Sequence, residues 1–174
     1  FEVAGGVLQG DSDFYKFITD NNWYFPVFSS EVALHFRGLF GLVTHYGDDL
    51  EVPIFERFFG GGANDVRGFE ERSLGPKDTN GDVVGGNQRV LFTTELIVPL
   101  VKGLKGVLFF DAGSTFDSDL PGVVDENFEL REGAGLGIRF ISPLGPLSLD
   151  WGYKLDRKEG ESSSEVHFGI GRPF

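Results

Sequence analysis

The sequence predicts an all-β fold, an antiparallel transmembrane β-barrel of about eight strands, and three observations carry that expectation. In Pro146–Asp156 the residues Leu147, Leu149, Trp151, Tyr153 and Leu155 alternate with Ser148, Asp150, Gly152, Lys154 and Asp156. Strand side chains alternate between faces, so one face is apolar and the other is polar and partly charged. The pattern then recurs along the chain, with acids and bases beside glycines on the polar face. A soluble sandwich would show the same alternation with its apolar face inward; charges beside glycines fit a wall with lipid outside and water or protein inside. Finally, 26 of the 174 residues are glycine and 8 are proline, against a usual glycine share of roughly 7%. Turns are therefore plentiful, and no apolar run approaches the ~18 residues of a membrane helix. Any crossing has to use strands.

The elements follow in order. Phe1–Leu8 is a short, glycine-interrupted strand. Phe14–Val27 carries Tyr15, Phe17, Trp23 and Phe25 on one face, interrupted by Thr19 and Asn21. In Ser30–Val43, Val32, Leu34, Phe36, Phe40 and Leu42 oppose His35 and Arg37. Arg89–Leu100 sets Val90, Phe92, Leu96 and Val98 outward, with Thr93 and Glu95 inward. In Gly106–Phe116, Leu108, Phe110 and Ala112 oppose Asp111. Leu130–Ile141 places Ala134, Leu136, Ile138 and Phe140 against Arg131, Gly133, Gly135, Gly137 and Arg139. Pro146–Asp156 comes next, and Glu165–Phe174 closes the series, with Val166, Phe168, Ile170 and Phe174 facing away from His167. Lengths of ~9–11 residues suit a tilted strand crossing a bilayer.

The connections alternate in length. Phe25–Ser30, Pro99–Lys105 and Ser142–Pro146 are tight, whereas 117–129, 156–164 and above all 44–88 are long and polar. Short turns at one end and long loops at the other is the layout of outer-membrane barrels. A loop as long as 44–88 in a compact domain is usually functional or disordered. This one carries Pro53-Ile-Phe-Glu-Arg-Phe-Phe-Gly-Gly-Gly-Ala-Asn-Asp-Val-Arg-Gly-Phe69, whose aromatics and glycines point to a folded hairpin with Val66, Arg67, Gly68 and Phe69 at its tip. If the loop folds inward, Arg67 becomes a partly buried cation in need of a carboxylate, and Asp111 and Glu95 lie on the polar face. The alternative is a solvated loop arginine.

Other chemistries find little support. The net charge of −12 argues against a nucleic-acid binder. The absence of cysteine excludes disulfides and thiol chemistry. There is no Gly-x-Ser-x-Gly elbow. His35, His45 and His167 belong in or beside separate strands and read as wall or loop residues. Asp78-Thr-Asn-Gly-Asp82 has its glycine too early for a calcium loop and lacks the closing glutamate. Gly133-Ala-Gly-Leu-Gly137 falls within a strand, where glycines relieve crowding rather than cradle a dinucleotide. The expectation is a protein that is not an enzyme and uses no cofactor or metal. The chain has no methionine, so a processed or excised segment is also expected.

Val66-Arg67-Gly68-Phe69 in a long loop resembles the VRGF motif of the BamA family of outer-membrane β-barrel assembly factors. Phe55-Glu-Arg-Phe-Phe-Gly-Gly61, Gly85-Gly-Asn87, Glu95-Leu-Ile-Val-Pro-Leu100, Leu108-Phe-Phe-Asp-Ala-Gly113, Gly133-Ala-Gly-Leu-Gly-Ile-Arg139, Ser142-Pro-Leu-Gly-Pro146 and the closing Phe174 agree in order and spacing. The resemblance covers essentially the whole chain. It implies the C-terminal half of a sixteen-stranded barrel, without POTRA domains, as a single domain over 1–174 whose motif loop (44–88) is extracellular. Arg67 would meet Asp111 inside the barrel. The strand with Phe168, Ile170 and Phe174 resembles the family's C-terminal signal beside a weak lateral seam. The implied location is the outer membrane of a Gram-negative bacterium, in contact with lipid or detergent. Implied partners are nascent outer-membrane β-barrel proteins and assembly-complex lipoproteins, with a homodimer as a way to restore sixteen strands. Eight strands can also close alone, but side chains then nearly fill the interior. Self-closure is the favoured expectation, because an open half would expose two edges to lipid; the loop would then have no room inside. A structural eight-stranded barrel without insertase activity and a two-partner-secretion pore are the alternatives.

Overall fold

A computed structural model describes residues 2–4, 13–28, 31–46, 52–117, 128–142 and 145–170. Its strands are β1 (Glu2–Ala4), β2 (Phe14–Pro26), β3 (Ala33–His45), β4 (Gln88–Val101), β5 (Leu104–Phe116), β6 (Arg131–Ser142), β7 (Gly145–Lys154) and β8 (Ser164–Ile170). They form one sheet in the order of the sequence. Every pairing is antiparallel and joins sequence neighbours. The expected first strand is represented by Glu2–Ala4, and Phe174 lies outside the described residues.

Alternation placed the strands; turn chemistry set their ends. β5 begins at Leu104, two residues before the expected Gly106, because Val101 pairs with Leu104 across the two-residue turn Lys102-Gly103. Gly103 has φ of 83°, a left-handed conformation that costs glycine little. The tight connections β2–β3, β4–β5 and β6–β7 lie at one end of the sheet, and the long ones lie at the other.

The wall is inverted relative to a water-soluble sheet. His35, Thr93, Asp111, Arg131, Arg139, Asp150 and Lys154 are buried, while Phe92, Leu108, Leu136, Trp151 and Phe168 are exposed. Phe168 keeps 62% of its surface accessible. Such a belt has its solvent in hydrocarbon rather than water. No helix among the described residues is long and apolar enough to cross a membrane.

Among the described residues the hydrogen-bonded order starts at β1 and stops at β8, with no pairing between those two. The pairing therefore does not show the self-closure favoured above. Residues of β2, β3, β4, β6, β7 and β8 nonetheless border one cavity of about 560 Å³, so the sheet curls around a common interior. The expectation that the loop has no room there is corrected by the structure. Val66 and Phe69 are fully buried against Leu91 of β4, with Leu39 of β3 packed alongside. An uncurled or self-filled interior would have left no such space.

Candidate functional site

The loop between β3 and β4 folds on its own backbone before it meets the wall. Paired bonds join Phe58 to Gly86 and Gly60 to Leu74, and a bridge joins Lys77 to Val83. Phe58 anchors this ladder among Phe14, Val43 and Val52 on the inner side of β2 and β3. The space it uses exists because Gly41 has no side chain: a Cβ there would come within 2.7 Å of the Phe58 ring. Further in, the chain reverses. Phe69 N–H donates to the Val66 carbonyl at 3.1 Å, and Gly62 N–H donates to the Phe69 carbonyl at 3.0 Å. The Asp65 carboxylate accepts from the N–H groups of Gly61 (2.9 Å) and Val66 (2.8 Å), and also from Arg89 on β4. Val66-Arg67-Gly68-Phe69 is thus the tip of a preformed turn.

That turn aims Arg67 at the wall. Its Nε donates to Asp111 Oδ2 at 2.8 Å and its Nη2 to Asp111 Oδ1 at 2.9 Å, a bidentate pair. The Arg67 backbone N–H adds a third bond to the same carboxylate, at 3.2 Å. Nη1 reaches Glu95 Oε1 at 2.6 Å and stands 3.7 Å from Asp150. The guanidinium lies 3.6 Å from the centroid of the Phe109 ring, a cation–π contact. Arg67 is 4% exposed and Asp111 is 0% exposed. Burial opposes the charge on Arg67, but the hydrogen bond and charge of Asp111, aided by Glu95 and Asp150, hold its pKa above the usual arginine value. It stays a cation throughout the working pH range.

The surrounding groups extend this pair into a network. Arg139 donates to Asp150 at 2.7 Å and lies 3.6 Å from Glu95. His35 joins Glu95 to Asn22 at 2.9 and 2.8 Å and stacks on Tyr24 with 4.3 Å between centroids. Phe69 sits between two cations, Arg131 at 4.5 Å and Lys154 at 4.9 Å. Gly68 lies on the backbone of β7, where an added Cβ would be 3.2 Å from the Tyr153 carbonyl carbon and the Lys154 nitrogen.

The structure thus brings Val66, Arg67, Gly68 and Phe69 together with Asp111 and Glu95, all named from sequence. Phe168 and Ile170 stand apart, on the outer face of β8, and Phe174 is not among the described residues. Sequence reasoning missed Asp150 and Arg139 as members of the network, and Asp65 as the organiser of the turn. The first two carried a signal, since both sit at polar positions of alternating strands. The arrangement is an ion-paired dock.

The fold and this dock can be set beside known proteins. An Omp85 superfamily domain matches residues 1–174. The chain belongs to the Omp85 superfamily. It is 35% identical over 178 residues to the outer membrane protein assembly factor BamA of Nitratidesulfovibrio vulgaris, covering 99% of this chain and 22% of that protein. With BamA of Neisseria meningitidis serogroup B it shares 31% identity over 202 residues, covering 99% and 25% respectively. The chloroplastic outer envelope protein 80 of Arabidopsis thaliana is 33% identical over 126 residues, covering 67% of the chain and 15% of that protein. In three dimensions the chain resembles the crystal structure of BamA from Haemophilus ducreyi lacking POTRA domains 1–3. The TM-score is 0.77 and the identity 26%, over 91% of this chain and 35% of that one. The chain spans roughly a quarter of the length of these BamA relatives. The all-β antiparallel wall is the architecture it shares with BamA.

Proposed function

We propose that this Omp85 chain is the portion of an outer-membrane assembly barrel that bears the loop latch and the terminal edge. It sits as an integral, multi-pass wall in the outer membrane of a Gram-negative bacterium, in contact with lipid. Its working partners are nascent outer-membrane β-barrel proteins and, in the parent assembly, lipoproteins that hold the machine together. The observation that carries the reading is the buried Arg67–Asp111 dock: an extracellular loop is ion-paired to the inner wall, where a passive wall needs no such device. The dock keeps the curl of β4–β7 in one shape. The edge of β8, which has no partner strand among the described residues, then offers backbone groups to an incoming strand. Insertion proceeds without covalent chemistry, cofactor or metal, and the apolar belt sets the depth at which strands enter.

An open order from β1 to β8 with a loop on its inner face supports completion of the wall by further strands, from the rest of a sixteen-stranded barrel or from a second copy. BamA-named relatives favour assembly over secretion as the transport task. The deciding experiment measures the folding rate of an unfolded outer-membrane barrel protein in phospholipid vesicles, with and without the reconstituted chain. Acceleration that Arg67→Ala lowers supports the proposal. A rate equal to that in empty vesicles makes the chain a structural wall. Native mass spectrometry from detergent separates a monomer of 19.1 kDa from a dimer that rebuilds the full wall.

A further inference from the structure

His35 reads from sequence as a wall residue; in the structure it holds one of the acids of the dock. On β3 it stands opposite Tyr24 of β2 and Glu95 of β4 in the strand register, and it is buried. Glu95 divides its two oxygens. Oε1 takes Arg67 at 2.6 Å, and Oε2 takes Nδ1 of His35 at 2.9 Å. The other ring nitrogen, Nε2, lies 2.8 Å from Oδ1 of Asn22. Asn22 in turn donates from its amide nitrogen to Asp20 at 3.2 Å, and Asp20 is held by Arg37.

These contacts fix the protons of the ring. A carboxylate oxygen only accepts, so Nδ1 donates. Asn22 has its NH2 committed to Asp20; turned the other way, it would set its oxygen against that carboxylate. The Asn22 oxygen therefore faces His35 and accepts, so Nε2 donates as well. A neutral imidazole has one N–H and an imidazolium has two. Charge points the same way. Asp20 and Arg37 balance one another. Among the described residues of the network, Asp111, Glu95 and Asp150 then face Arg67 and Arg139, three acids against two bases. An imidazolium at His35 is the third cation that such a buried set needs. The ring also stacks on Tyr24, with 4.3 Å between centroids and 8° between planes, a platform that suits a cation. His167 on β8 is the contrast. Its Nε2 meets the Arg67 carbonyl at 3.0 Å, a contact that a neutral ring satisfies.

We propose that His35 is a positioning residue of the dock and acts as an imidazolium. Its two N–H groups hold Glu95 on Arg67 and join that contact, through Asn22 and Asp20, to Arg37. Arg37 donates to the Asn64 carbonyl at 3.0 Å. One protonated ring thus ties two separate holds on the loop tip into a single unit. The proposal concerns the dock itself and stands apart from the assembly reading, which the vesicle folding rate judges.

Nitrogen NMR of the chain in detergent micelles, with isotope-labelled histidine, tests the protonation without altering His35. Its ring is the one that persists when His45→Gln and His167→Gln are combined. At neutral pH both of its nitrogens are expected to be protonated; one unprotonated nitrogen overturns the proposal. Hydrogen–deuterium exchange then reads the positioning. His35→Phe keeps a ring over Tyr24 but donates nothing. It is expected to speed exchange at 64–69 by about tenfold, the worth of a hydrogen bond to a charged group, while β5 stays slow. In an Arg67→Ala chain the same replacement is expected to add nothing further at 64–69, because the acid it positions has lost its mate. Native-like exchange in His35→Phe, or an equal acceleration with and without Arg67, overturns the proposal.

Discussion

Arg67 and Arg131 are both arginines on the inner side of this wall, both meet carboxylates, and they live in different solvents. Arg67 pairs with Asp111, which is wholly buried, and with Glu95. Arg131 donates to Asp156 at 2.6 Å and to Glu161 at 2.8 Å, and those carboxylates keep more than a quarter of their side-chain surface open. The bond lengths are alike, so contact geometry does not distinguish them. What differs is the fate of the partner left behind. Asp156 and Glu161 are already open to water beside Arg131, whereas Asp111 has no exposed surface of its own. An ion pair in the interior is thus worth most as the avoidance of an orphaned charge. At the rim it is a modest attraction screened by water.

Removing Arg67 gives the largest expected effect. Arg67→Ala lowers the unfolding free energy in detergent micelles by about 3–5 kcal/mol, the usual cost of leaving one buried partner uncompensated. Urea titration followed by tryptophan fluorescence measures it, and a loss below about 1 kcal/mol would place Arg67 in the same class as Arg131. Arg67→Lys recovers only part of the loss, because an ammonium cannot form the two parallel bonds to Asp111. Charge reversal at both Arg67 and Asp111 restores part of the heat resistance lost in either single reversal.

Next comes a change that keeps every charge. Gly152→Val puts carbon where the Arg67 carbonyl lies and destabilises by about 1–3 kcal/mol through overpacking. Trypsin reads this directly. Arg67 resists cleavage in the native chain and becomes a cut site in the variant; continued resistance would show that β7 can yield without unseating the loop.

At the rim, Arg131→Gln costs about 1 kcal/mol. Burial pushes the Glu161 carboxyl up, but the bond and charge of Arg131, with the Lys158 backbone N–H and the charge of Lys154, together outweigh this and hold it below the ordinary glutamate range. A carboxyl depressed on folding contributes stability above its unfolded pKa and loses it as pH falls through the folded value. The native chain therefore sheds this contribution below about pH 4, and Arg131→Gln flattens that acid limb in a pH series of urea midpoints. The smallest effect belongs to Lys158→Ala. Its 2.5 Å pair with Glu129 is about half exposed on both sides, so the change stays within about 0.5 kcal/mol. A larger loss would mean that exposure is a poor guide to the worth of these pairs.

Much of this was legible before any coordinates, and the reason is the strict period of a strand. Alternation alone put Asp111, Glu95 and Thr93 on one face and Phe92, Leu108 and Trp151 on the other, because a one-residue slip would invert every side chain. Turn residues such as Lys102-Gly103 then fixed strand ends to within a few positions. The dock itself was half legible. Arg67 stood out through its motif and its need for a carboxylate, and Asp111 through its parity.

Parity names a face, however, and leaves height and curvature open. Asp150, Arg139 and His167 share the inner face with many other residues; which of them meets the loop tip depends on how eight strands are staggered and how sharply the sheet curls. Asp65 acts through backbone N–H groups that only a folded turn brings together. By itself, then, the sequence determined the antiparallel wall, its inverted faces and the arginine that needs an acid, all of which follow from local period and charge. Only the tertiary structure decided that the loop lies inside, that three carboxylates and a second arginine converge on Arg67, and that β8 is tied to the loop. Those are distances between residues up to 100 positions apart, and chain curvature, which no local pattern encodes, sets them.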